Sequence, residues 1–324
     1  MNFPPSVLSA TTGMRLKLAG CAALLCMLGV RAWSEEPRQP LVLLGKSYPQ
    51  YQQVSSAFTQ EWKAATGTEP KLVGFPSDET QQRQLLNGQP PLVVALGEGP
   101  TNWCLHQQGA FQLAFTMVVQ PERMKDASEQ SPVRSRKVTA VSIDVPVQEQ
   151  VKVLLSVMPR LKRVGVVTCD HGLRESVAEL RRVCESNHLQ LIHVELSSVS
   201  ELPSKLTQLL AQIDLLWSMP DAEVFQPELA RHIIRQCTER SVPLLGLSST
   251  FVKTGATISF ERDYSEVGRL LARSALERLA QTDSGPLWQL ESPQRIIVII
   301  NQRSSETLGL KKEINLPQVS VTLY

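Results

Sequence analysis

Asp221 is the acid in this chain with the clearest chemical placement. It closes the segment Trp217-Ser218-Met219-Pro220-Asp221, directly beyond the apolar run Ile213–Trp217. A carboxylate there can accept hydrogen bonds from a ligand amine or its N–H groups, each bond contributing about 1.5–3 kcal/mol. Aspartate before a helix is also a common cap, here for a helix expected over Phe225–Arg240, and both roles fit the pattern. The turn Gly97-Glu98-Gly99-Pro100-Thr101 has the opposite preference. Its glycines let backbone approach a ligand, and the helix that follows aims N–H groups at an anion. Thr116, Ser248 and Ser249 add hydroxyls, Asp170 a second acid, and Trp217 and Phe251 apolar faces. An acid opposite an anion-binding turn suits a small zwitterion of the amino-acid kind.

Other chemistries find less support. His106, His171, His188, His193 and His232 have no metal-ligand spacing, and no serine sits in a nucleophile elbow. Cys169-Asp170-His171 are adjacent, and adjacent side chains on an extended loop point apart. Gly45-Lys46-Ser47 lacks the earlier glycine of a phosphate loop, having Pro40 in its place. The 33 basic and 31 acidic residues nearly cancel, and no basic tract suggests nucleic acid. Neither an enzyme nor a bound cofactor or metal is expected.

The candidate groups need elements that bring them together. Lys162 to Asp221 alternates strand and helix. Val164–Val167, Leu189–Glu195 and Ile213–Trp217 read as strands. Between them Leu173, Val177, Leu180 and Cys184, then Leu202, Leu206, Leu209 and Ile213, recur at helical steps. Such units build a parallel sheet with right-handed crossovers, and ligands bind beyond the carboxyl ends of its strands. Here those ends are Cys169–Gly172 and Ser218–Glu223. Earlier strands are expected at Leu41–Leu44, Lys71–Phe75, Leu92–Leu96 and Gln112–Val119. Others are expected at Val138–Ile143, Val242–Leu247, Ala256–Phe260 and Arg295–Ile300, with a polar tail after them that carries one short helical pattern around Glu306–Leu310. A chain of 324 residues exceeds one comfortable core, so two lobes are expected. The polar stretch 122–137 reads as the first crossing. That assigns 35–137 plus 262–290 to the first lobe and 138–261 plus 291–324 to the second.

The N-terminus reads as a targeting segment. Met14-Arg15-Leu16-Lys17 is positive, Leu18–Val30 is apolar or small, and Ala32-Trp33-Ser34 puts small residues where a signal peptidase cuts. Residues 1–34 are therefore expected to be a signal peptide. The apolar run is too short, at about 1.5 Å per residue, to cross about 30 Å of hydrocarbon. Leu18-Ala19-Gly20-Cys21 spells a lipoprotein box, but the cysteine opens the apolar run instead of closing it. Export would allow Cys104, Cys169, Cys184 and Cys237 to pair; Cys184 and Cys237 sit on apolar helix faces, as buried thiols do.

From Lys162 onward the chain resembles the substrate-binding proteins of bacterial ABC importers, in the branch that takes tryptophan and related compounds. The likeness rests on Met158-Pro159-Arg160-Leu161-Lys162-Arg163-Val164-Gly165-Val166 and on Val242-Pro243-Leu244-Leu245-Gly246 followed by Ser249-Thr250-Phe251-Val252-Lys253-Thr254-Gly255-Ala256. Asp263-Tyr264 with Gly268-Arg269, and Val298-Ile299-Ile300-Asn301 with Leu308-Gly309-Leu310, extend it. The resemblance implies an α/β, type I periplasmic binding protein fold: two doubly wound, Rossmann-like lobes joined by a three-strand hinge. It implies a periplasmic monomer that holds a small-molecule ligand between the lobes and delivers it to an ABC permease. A protein reporting the same ligand to a membrane sensor would use the same fold. The pocket loops depart from the family: Pro220-Asp221-Ala222-Glu223 keeps only the aspartate of an Asp-Asn-Thr-like run, and Ser248-Ser249-Thr250 has hydroxyls where an acid is usual. A sugar-responsive repressor shares the fold but would need a helix-turn-helix where this chain has its export signal.

Overall fold

The computed structural model describes residues 39–130, 132–133, 135–281, 285–311 and 313–324. The expected signal peptide, with Cys21, lies outside the described residues. Short apolar runs form β1 (Leu41–Leu44), β2 (Lys71–Gly74), β3 (Leu92–Leu96), β4 (Gln112–Thr116) and β5 (Val138–Val141). There follow β6 (Arg163–Thr168), β7 (Gln190–Glu195), β8 (Leu215–Trp217), β9 (Leu244–Leu245) and β10 (Ile258–Arg262). The chain ends with β11 (Trp288–Glu291), β12 (Ile296–Ile300) and β13 (Val319–Leu323).

Two sheets result. The first is all parallel, in the order β11-β5-β4-β3-β1-β2. The second runs β13-β12-β10-β9-β8-β6-β7, and among the described residues only the β10–β12 pairing is antiparallel. Helices cover both faces of each, which is why the inner strands are apolar throughout instead of alternating. Successive residues still part to opposite sides. Leu41, Leu43, Val93, Ala95, Leu113 and Phe115 enter one core with the helix Glu98–His106. Val42, Leu92, Val94, Leu96 and Ala114 enter another with the helices Pro49–Thr66 and Tyr264–Ala280. In the second sheet Val164, Val166, Leu215 and Trp217 face one core, and Val167, Leu216 and Leu244 the other. Cys104, Cys184 and Cys237 are buried free thiols, and Cys169 is a half-buried one.

Two expectations need correction. The sequence places the strand Val138–Ile143 in the second lobe, with the first crossing at 122–137. It pairs with β4 and β11 in the first sheet, and Thr116 Oγ1 donates to Val141 O at 2.6 Å. The stretch 122–137 instead holds the helix Arg123–Glu129 within the first lobe. The true crossing, 142–146, contains Ile143 and Val145, so it reads as the end of a strand, whereas the polar helix before it reads as a linker. The tail after Ile300 contains, beside the expected short helix, at Gln302–Thr307, the unexpected strand β13. β13 escaped notice because it is an edge strand whose Ser320 and Thr322 face outward.

Three segments join the sheets: 142–146, Arg262-Asp263 and 292–295. Arg262 is buried at the end of β10 and binds the other two crossings. Its Nε and Nη2 donate to Asp144 O at 3.2 and 3.0 Å, and its Nη1 to Arg295 O at 3.3 Å. Asp263 then caps the helix Tyr264–Ala280, accepting from Ser265 N at 2.9 Å and Glu266 N at 3.2 Å. That helix lies so close to Pro49–Thr66 that a Cβ on Gly268 would stand 2.3 Å from Val54 O and 2.9 Å from Ala57 Cβ. Gly268→Ala should therefore destabilise the protein by about 1–3 kcal/mol through overpacking against backbone, although alanine gains about 1 kcal/mol in helix propensity. A lower urea midpoint at unchanged slope would show it; a raised midpoint would mean that the helices part without cost.

Candidate binding cleft

The loops beyond β4, β5, β8 and β9, with the end of β10, surround one cavity of about 990 Å³. From the first lobe Val119, Gln120, Glu122 and Arg123 reach it. The crossing 142–146, Tyr264 and Ser292 form its hinge side, and Glu175, Ser176, Glu179 and Arg182 come from the helix Arg174–Ser186. Trp217–Pro220, Leu245–Ser248, Phe260 and Glu261 close the second-lobe wall. This is the position that a doubly wound sheet dictates, because its βα loops gather at the carboxyl ends of the strands.

Polar groups in the cavity have specific neighbours. Asp144 Oδ2 accepts from Gln120 N at 2.7 Å. Burial raises the Asp144 pKa above the ordinary aspartate value, against the lowering effect of that bond. Glu261 Oε1 accepts from Ser249 N at 2.6 Å. Ser218 lines the cavity at 5% exposure, and its Oγ has no hydrogen-bond partner among the described residues. Gln120 Nε2 donates to Ser176 Oγ at 2.8 Å, a bond from one lobe to the other. Gln120 and Met117 have φ of 51° and 62°, left-handed values that cost non-glycine residues about 1–2 kcal/mol each. The bonds to Asp144 and Ser176 help hold the Gln120 end of that loop in place.

Of the residues expected to recognise a ligand, Trp217 and Ser248 line the cavity. Gly97, Glu98, Gly99 and Thr101 do not, nor do Thr116, Asp170, Asp221, Ser249 and Phe251. Gly97 N donates to Thr116 O, and Thr101 is buried with its hydroxyl on Gly97 O at 2.7 Å. Pro100, in the first turn of the helix, has no N–H to offer an anion. Asp170 Oδ1 accepts from Gly172 N at 2.7 Å. Phe251 packs edge-on to Phe225 on the far side of the second sheet.

Asp221 is buried at 1% exposure and turned into the protein. Its Oδ2 accepts from the N–H groups of Cys169 and Asp170 at 2.7 and 2.9 Å, and its Oδ1 from Glu223 and Val224 at 3.0 Å each. It thus joins the loop after β6 to the loop after β8 and leaves neither oxygen toward the cavity. The helix it was expected to cap begins later, at Pro227. Asp144, Tyr264 and Glu261 carry no site expectation from the sequence, and Ser218 lies in the strand end Ser218–Glu223 expected near the ligand. The available signal was a charged residue set directly at the end of an apolar strand, as in Ile143-Asp144 and Phe260-Glu261.

A family model described as "ABC transporter substrate binding protein" matches residues 113–318. No curated protein matches the chain. Among solved structures, a ligand-free, open substrate-binding protein with adhesive properties from Clostridium difficile superposes with a TM-score of 0.74 at 16% identity, covering 88% of this chain and 99% of that one. An ABC domain from Streptococcus pneumoniae in complex with L-Trp gives 0.60 at 16% identity, covering 87% and 99%. A conserved domain protein from Vibrio cholerae gives 0.60 at 16%, covering 89% and 100%.

Burial alone would raise the pKa of Asp221, but its four backbone bonds together outweigh burial and hold it below the ordinary aspartate value. Its contribution to stability is therefore complete above the unfolded-state pKa of about 3.9 and lost as pH falls through the lower folded value. Asp221→Asn places an NH₂ against N–H donors and should cost about 2–4 kcal/mol at pH 7. Urea unfolding from pH 7 down to pH 2 should find the gap to the parent narrowing with acid. A gap that stays constant across that range would mean that the carboxylate charge is not what matters.

Proposed function

Because the chain belongs to the family of ABC transporter substrate-binding proteins, with their type I periplasmic fold, we propose that it captures one small molecule between its lobes and delivers it to an ABC permease. The observation that carries this reading is the cavity of about 990 Å³, lined by both lobes and by the segments that cross between them. That volume is at the upper end of small-molecule sites, as suits a cleft that narrows around its ligand. Trp217, Phe260 and Tyr264 offer aromatic surface, and Ser218, Ser248 and Gln120 polar contacts. An amine-bearing ligand, of which an amino acid is one kind, is the finer reading. It draws on the acids of the cavity and on the tryptophan held by the Streptococcus pneumoniae protein. The protein works as an exported monomer, and binding shifts it from an open to a closed arrangement by rotation about the three crossings.

Screening amines and amino acids by thermal unfolding should find a stabilising compound, worth about 2.7 kcal/mol at a hundred times its Kd. With it, small-angle scattering should record a smaller radius of gyration for a particle of monomer mass. A radius unchanged at saturation would refute closure about the crossings.

A further inference from the structure

We infer that the ligand is an organic cation without a carboxylate, an ammonium or guanidinium compound, and not a zwitterion. This rests on the reading of the cavity as the ligand site. Its charged lining is unbalanced: Glu122, Asp144, Glu175, Glu179 and Glu261 stand against Arg123 and Arg182 alone. A cleft with low-dielectric walls concentrates such a field and favours ligands of the opposite sign.

The two acids nearest the hinge carry the argument. Asp144 and Glu261 are half-buried, and each has one backbone donor, Gln120 N and Ser249 N respectively. Neither forms a salt bridge among the described residues, so each keeps acceptor capacity for a ligand. Arg262, the buried cation beside them, gives its hydrogen bonds to the carbonyls of Asp144 and Arg295 and not to a carboxylate. Glu266, Asp144 and Glu149 all bear on its charge, so Arg262 is not the counter-ion of Asp144 alone. Ser218 Oγ is an independent pointer: a buried hydroxyl on the cavity wall without a partner, able to accept from a donor-rich head group. The aromatic faces of Trp217, Phe260 and Tyr264 also favour a cation.

A ligand carboxylate would lack a matching site. The turn Gly97–Thr101, which sequence suggests for that purpose, is not part of the lining. Arg123 and Arg182 are exposed, as are Glu122, Glu175 and Glu179, so water weakens all five and the half-buried Asp144 and Glu261 decide the sign of the field.

The test is equilibrium dialysis of the exported chain against a defined equimolar mixture, with the retained compounds read by mass spectrometry. The mixture holds agmatine, putrescine and tryptamine, the amino acids arginine, ornithine and tryptophan that differ from them by one carboxylate, and indole-3-propionate. Retention of an amine at least tenfold over its amino acid is expected. Glu261→Gln and Asp144→Asn keep an acceptor for Ser249 N and Gln120 N. Each should weaken that amine at least tenfold by calorimetry, with the melting temperature confirming the fold. Preferential retention of an amino acid or of indole-3-propionate would overturn the charge assignment and leave the binding role standing. Retention of nothing would overturn both. An amine bound equally well by the parent and both variants would remove Asp144 and Glu261 from recognition, and the inference with them.

Discussion

The relation between the lobes depends on one buried guanidinium. Each of the three crossings is a few residues long, and the ladder bonds stop at their ends, with Ser142 N on Glu291 O and Arg262 paired with Ile296. Arg262 supplies the missing cross-links by donating to backbone carbonyls on the other two segments. Backbone acceptors make this contact indifferent to the side chains of the segments it binds. Burial lowers the Arg262 pKa, and the surrounding Glu266, Asp144 and Glu149 hold it up. A buried cation needs such company, because isolated charge in a protein interior is strongly unfavourable. The acidity of the hinge is thus partly structural, a counterweight to the arginine, and partly turned into the cleft through Asp144 and Glu261.

A division of labour between inward and outward acids follows. Asp221 has the sequence signature of a ligand contact, an acid just beyond an apolar strand, yet its carboxylate is fully engaged by four N–H groups. Two neighbouring loops at the carboxyl edge of a parallel sheet each expose unpaired backbone donors, and a single carboxylate can satisfy both. With Asp221 committed in this way, the cavity surface behind it is left to Trp217, Ser218 and Ser248, all of lower charge.

The fold was legible because parallel sheets need apolar runs, and β3, β6 and β12 supply them as Leu92–Leu96, Arg163–Thr168 and Ile296–Ile300. Gly268 belonged to a recognisable segment for a physical reason, since no side chain fits where two helices meet at backbone distance. Legibility failed at the first crossing. Val138–Val141 and the residues after it form one continuous extended run, and nothing local marks where the chain leaves one sheet for the other. The cleft was legible by location and not by residue. The rule about strand ends found Trp217 and Ser248, but which side chains on those loops point outward depends on hydrogen bonds between loops far apart in sequence. Asp144 and Glu261 lie at strand ends too, Asp144 on the first crossing, which the sequence places too early, and Glu261 beside the second, which it places correctly.

The return of the chain to the first sheet has a temporal consequence. β11 pairs with β5 at one edge, and the helix Tyr264–Ala280 completes the core over β1, β3 and β4. The N-terminal lobe therefore cannot finish its own interior until Glu291 is available, after the second lobe's strands β6 to β10 have been made. Contacts that span most of the chain carry a large loop-closure cost and slow the search for the native state. A newly made chain would thus remain without a closed first lobe through most of its synthesis, and the two lobes would reach their final form almost together.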